Sequence, residues 1–107
     1  MVVVVLLAAA CVPTSYAYTP ASSRSFGQRD ASCAFEVVTT PPTENYEEVG
    51  VLAHYNGDVP SNLEDFKKVI AKQVCGVGGD AVIASSSGKG YDKGTIIHYP
   101  RRVTPSN

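Results

Sequence analysis

Between Ser61 and Val77 the apolar residues Leu63, Phe66, Val69, Ile70, Val74 and Val77 recur at three- and four-residue spacing. That period predicts one amphipathic helix over about Asn62 to Cys75. A helix with a single apolar stripe must bury it against a second layer, which limits the architectures open to the chain. Ser61-Asn62-Leu63-Glu64 reads as a capping box: the Ser61 hydroxyl accepts from an amide of the first turn and Glu64 reaches back. Glu64 and Asp65 lie where the helix dipole favours anions, and Gly76, Gly78 and Gly79 supply the stop. With 107 residues there is room for one small domain.

The segments around the helix are short and β-rich. Cys33 to Thr39 is β-branched and aromatic, and Pro41-Pro42 then breaks it, because proline cannot donate to a ladder. Tyr46 to Tyr55 is a second strand, with Val49, Val51, Ala53 and Tyr55 on one face and Gly50, Leu52 and His54 on the other. Asn56-Gly57-Asp58 is a turn. Asp80 to Ser85 is a third strand, Ser86 to Gly94 a loop, and Thr95 to Tyr99 a fourth strand closed by Pro100. The expected fold class is therefore α+β: a β-β-α-β-β unit over residues 33–100, one helix on a four-stranded sheet, with residues 101–107 as a tail. Val12 to Ser32 holds Pro13, Pro20 and a cluster of Ser and Thr without apolar periodicity. It reads as a flexible linker with a reach of roughly 25 Å.

Val2 to Ala10 is a continuous apolar run followed by Cys11. It is too short to span a bilayer and fits the core of a secretory signal. Ala8-Ala9-Ala10-Cys11 resembles the lipobox of bacterial lipoproteins, although Leu7 lies four places before the Cys and Ala8 stands at the third. That resemblance implies a signal peptide over residues 1–10 and a flexible linker, 11–32, anchored to a membrane by lipid on Cys11. Val12 rather than Asp after the Cys then implies outer-membrane sorting, with the domain facing the periplasm or the surface. Cleavage after Ala10 without lipid, and a buried strand over Val2 to Leu6, are the alternatives.

Several residues carry a wider resemblance: Cys33, Pro41-Pro42, Tyr46-Glu-Glu-Val49-Gly50, Cys75 and Gly78-Gly79-Asp80-Ala81-Val82-Ile83. In this order they resemble a family of small, mostly uncharacterised bacterial lipoproteins and, more distantly, RcsF-like and YbjQ-like α+β domains. The resemblance implies a compartment and a fold, and no activity. Three Cys residues fit one lipidated thiol and one Cys33–Cys75 disulfide, which an oxidising compartment would preserve. Free thiols and metal ligation are the other readings of the same pair.

Candidate chemistry is sparse. His54 and His98 are the only histidines, each near a strand end where the two could meet across the sheet, but without zinc-type spacing. Ser85 to Gly90 lacks the first Gly of a phosphate loop, since Ile83 stands there, and Gly76-Val77-Gly78-Gly79 follows a helix where a dinucleotide fingerprint precedes one. No cofactor is expected. The formal charge of −1 excludes a strongly basic nucleic-acid binder. A basic end of Lys89, Lys93, Arg101 and Arg102 is a candidate surface for anionic lipid or polysaccharide. The expected function is a non-catalytic envelope lipoprotein acting as a tethered binding or sensing module. Its contact residues would be Lys89, Tyr91 and Lys93, with the Pro41–Asn45 loop, and an envelope protein is the expected partner. The alternatives are a small thiol-dependent or hydrolytic enzyme with Cys75 as nucleophile, and a periplasmic metal binder using His54, His98 and an acid.

Overall fold

The computed structural model describes residues 13–23 and 25–100. Its elements run β1 (Ser15–Pro20), β2 (Glu36–Val38), β3 (Glu47–Asn56), α1 (Leu63–Gly76), β4 (Ala81–Ser86) and β5 (Tyr91–His98). They form one five-stranded mixed sheet in the order β1-β3-β5-β4-β2, with α1 on one face, and the class is α+β. β3 and β4 both run antiparallel to β5, so they are parallel to each other with β5 between them. Such a pair cannot be joined by a hairpin, and α1 is the crossover. β2 adds a parallel edge beside β4.

The helix forms where its period places it, with its cap one residue later than expected. Asn62 Oδ1 accepts from Asp65 N at 2.8 Å, and Asn62 Nδ2 donates to Asp65 Oδ2 at 3.1 Å. Asn62, not Ser61, is thus the N-cap, and Asp65, not Glu64, is its partner. Asn caps as well as Ser, so the competition between them is settled by where the chain enters the turn.

Phe66, Ile70 and Val74 are fully buried with Leu52, Val82 and Ile96 of the sheet. Each such side chain contributes about 1.5–3 kcal/mol. Gly94 lets the helix approach, because a Cβ there would stand 2.8 Å from Val82 Cγ1 and 3.0 Å from Phe66 Cζ. Among the described residues the other face of the sheet carries a small cluster, Ala81, Ile97 and Tyr99 with Tyr46 and Ile83 against it. Val49 departs from its expected face: a register irregularity between Glu48 and Gly50 brings it into the core beside Leu52.

The main correction concerns the expected linker. Ser15–Pro20 is a strand, paired antiparallel with β3 from Ser15↔Asn56 to Pro20↔Gly50. Tyr16 and Tyr18 point to the helix side while Ala17 and Thr19 face out. Tyr16 is 4% exposed, and its hydroxyl donates to Tyr91 O at 2.6 Å. Ring edges of Tyr16 meet Phe66 and His54, both at 5.6 Å between centroids. Burial, with the Asp92 carboxylate second, pushes the Tyr16 phenol up to about 12. Two tyrosines are too few to declare a strand in sequence, but two are enough to finish the open flank of a core that the helix only partly covers. Pro20 is tolerated because β1 is an edge strand. Residues 1–12 and 101–107, which include the expected signal, Cys11 and the tail, lie outside the described residues.

Candidate functional site

The helix stop builds one wall of a cleft. Val77 N donates to Val74 O at 3.3 Å, Gly78 N to Cys75 O at 3.2 Å and Gly79 N to Val74 O at 3.0 Å. Gly78 has φ +78°, and a Cβ on it would fall 2.3 Å from Gly27 O. Glycine is required there twice, for the left-handed backbone and for the close pass of residues 26–27. Those residues belong to the segment that leaves β1 and crosses the helix end on its way to β2.

Two connections hold that segment in place. Cys33 and Cys75 are joined by a disulfide. Cys75 lies off the helix's main apolar stripe and is nonetheless fully buried, because the crossing segment covers it. The bond closes a separation of 42 residues, which the chain-entropy account values at about 4 kcal/mol. Arg29 makes the second connection. Its backbone N donates to Cys75 O at 2.8 Å; its guanidinium donates to Gly79 O at 2.8 Å and Ala34 O at 3.2 Å and lies 3.4 Å from Asp80 Oδ1.

Asp80 is the hub. It stands just before β4, and its Oδ2 accepts from Tyr99 N at 2.9 Å, tying the start of β4 to the end of β5. His98, the last residue of β5, brings Nδ1 to 2.8 Å from the same oxygen. That nitrogen is shielded from solvent and off the line of a well-formed hydrogen bond. The contact is an electrostatic pairing of the ring edge with the carboxylate. The Phe26 ring lies 5.2 Å from the His98 ring. Arg29, Asp80 and His98 line a cleft of about 840 Å³ together with Phe26, Ser32 and Cys33. Such a set offers an ordered cation, a carboxylate and a titratable ring to a polar ligand.

Other expected site residues are placed differently. His54 Nε2 is 2.7 Å from Gly57 O, near the far end of β3, while His98 pairs with Glu47 at its start. Seven residues of strand separate the two positions, about 23 Å, so the histidines do not meet. No group of three metal-ligating side chains occurs among the described residues. Cys75 is bonded to Cys33 and is not a thiolate nucleophile in the oxidised protein.

Lys89, Tyr91 and Lys93 do not share a loop. Lys89 is exposed on the short β4–β5 turn, and Lys93 is exposed in β5 opposite Ala53 and Ser85. Tyr91 opens β5 half-buried, 5.8 Å from the Phe66 ring, with its N donating to Pro60 O at 2.9 Å. The expected basic end also divides: Lys89 and Lys93 sit where β5 starts, and Arg101 and Arg102 follow its other end, outside the described residues.

Asp80, expected as the start of a strand, holds the backbone amide of Tyr99. Arg29 escaped notice because it lies in a stretch with no periodicity. The chain matches no family model, no curated protein and no solved structure.

Proposed function

We propose that the protein is a bacterial cell-envelope lipoprotein, anchored through lipid on Cys11, that acts as a binding or sensing module without catalysis. The observation that carries this reading is the Cys33–Cys75 disulfide, a bond that persists in oxidising compartments and is rare in the cytosol. The apolar run Val2–Ala10 ending at Cys11 supports the same compartment and supplies the acceptor thiol. In this reading the Arg29–Asp80–His98 cleft is where a polar ligand or an envelope protein engages, with the membrane as the anchor's partner.

The test is the intact mass of the protein taken from the membrane fraction of a bacterial host without reductant. The expected species starts at Cys11, is heavier by a diacylglycerol-type modification and is lighter by two hydrogens for the disulfide. An unmodified chain in the soluble fraction with three free thiols overturns the reading.

The Asp80–His98 contact favours one second reading, a hydrolytic envelope enzyme with His98 as general base. Ester hydrolysis by the wild type that disappears in His98→Gln would replace the binding module with the enzyme.

A further inference from the structure

How an anchored domain sits on its membrane depends on the chain between anchor and fold. β1 starts at Ser15, so only residues 12–14 lie between Cys11 and the sheet. Four Cα steps, fully extended, cover about 14 Å. The strand entry is itself tied down: Thr14 Oγ1 donates to Asp58 O at 2.7 Å, and the Pro13–Thr14 backbone passes closely over Gly57. A lipid on Cys11 therefore holds this end of the sheet at the bilayer, where a long flexible tether would let the domain stand off and turn freely.

The same end carries the exposed apolar groups. Among the described residues the large hydrophobic side chains left exposed are Tyr55, at 66%, and Val69, at 37%. Tyr55 immediately precedes Asn56, the partner of Ser15. Val69 lines a shallow groove with Thr14, Val59 and Pro60. Lys89 is also nearby, because Tyr91 N bonds Pro60 O. A tyrosine with an apolar ring and a polar tip suits the headgroup layer. Charges around this end are mixed, Asp58, Glu64, Asp65 and Asp92 against Lys68, Lys89 and Lys93, so the attraction does not depend on anionic lipid.

We propose that the corner formed by Thr14, Tyr55, Gly57–Pro60 and Val69 is a bilayer-docking surface that seats the lipidated domain on its membrane. Its consequence is an orientation. The Arg29–Asp80–His98 cleft lies at the opposite end of β5, about 23 Å away along seven residues of strand, and faces away from the bilayer. The inference rests on the lipid-anchor reading.

The chain contains no Trp, so a single introduced indole reports position. Lipidated protein carrying Tyr55→Trp is isolated from membranes, verified by intact mass and reconstituted into phosphatidylcholine vesicles that contain brominated acyl chains. Gln28→Trp, on the exposed segment lining the cleft, is the control. The expected result is strong loss of emission for the first variant and unchanged emission for the second, at low and high salt alike. Acylation of Lys89 by a water-soluble amine reagent should also fall several-fold in wild-type protein on vesicles. A lipidated chain whose Tyr55→Trp emission is unquenched, or quenched no more than the control, overturns the docking surface and leaves the anchor reading standing. A chain that carries no lipid overturns both.

Discussion

Tyr16 decides whether residues 15–20 belong to the domain, and truncating it is the sharpest perturbation the structure offers. The ring is 4% exposed and in edge contact with Phe66 and His54. Losing a buried aromatic side chain to Ala costs about 3–5 kcal/mol, a large part of the roughly 5–15 kcal/mol available to a small domain. At about 4–8 °C per kcal/mol, Tyr16→Ala should lower the melting temperature by at least about 12 °C. Tyr16→Phe keeps the ring and removes only the hydroxyl that donates to Tyr91 O. It should cost about 1–2 kcal/mol near neutral pH.

The two proteins should also differ in alkali. The folded-state phenol is raised to about 12 from 10.0, so in the pH range between these values the unfolded chain releases the Tyr16 proton while the folded one keeps it. The stabilisation is complete below pH 10 and is lost as pH rises through 12. The stability gap between wild type and Tyr16→Phe should therefore narrow as pH climbs from 10 to 12. Urea unfolding followed by circular dichroism at a series of pH values measures both effects. An unfolding midpoint unchanged by Tyr16→Ala would refute the placement of β1 in the core and return residues 15–20 to a tether.

Other substitutions probe the cleft and the helix. Removing the disulfide by Cys33→Ala with Cys75→Ala should cost about 2–4 kcal/mol in urea, and reductant should shift wild type but not the double variant. Asp80→Ala leaves Tyr99 N, Arg29 and His98 without their carboxylate and should cost about 2–3 kcal/mol, whereas Asp80→Asn, which can still accept from Tyr99 N, should cost less; thermal unfolding ranks the two. Gly78→Ala should destabilise by more than about 1 kcal/mol and expose the Gly27 region to protease, because both the backbone conformation and the space are taken. Asn62→Ala should cost about 1 kcal/mol while Ser61→Ala stays near zero; the reverse order would restore the cap to Ser61.

Much of the fold was legible because it depends on local periodicity. The three- and four-residue spacing from Leu63 to Val77 located α1, and the β-rich runs around it located β2, β3, β4 and the second half of β5. The Gly cluster after Cys75 marked a turn, and Gly78 does take the left-handed conformation there. Boundaries moved where two neighbours compete for one role, as Ser61 and Asn62 did for the cap. Val49 changed face because a register irregularity depends on the partner strand, β5, and not on the residues around Val49.

The sequence by itself determined the α+β class and the amphipathic helix, since both follow from spacing and composition. Only the tertiary structure decided the rest. Tyr16 and Tyr18 become a strand because β3 offers an unpaired edge and the core an open flank. Arg29, Asp80 and His98 meet because the chain after β1 crosses the helix end and returns beside the end of β5. Contacts between residues 42 and 51 positions apart are set by how layers stack. A one-dimensional pattern carries periodicity along the chain and holds no record of which distant segment will cover an exposed end.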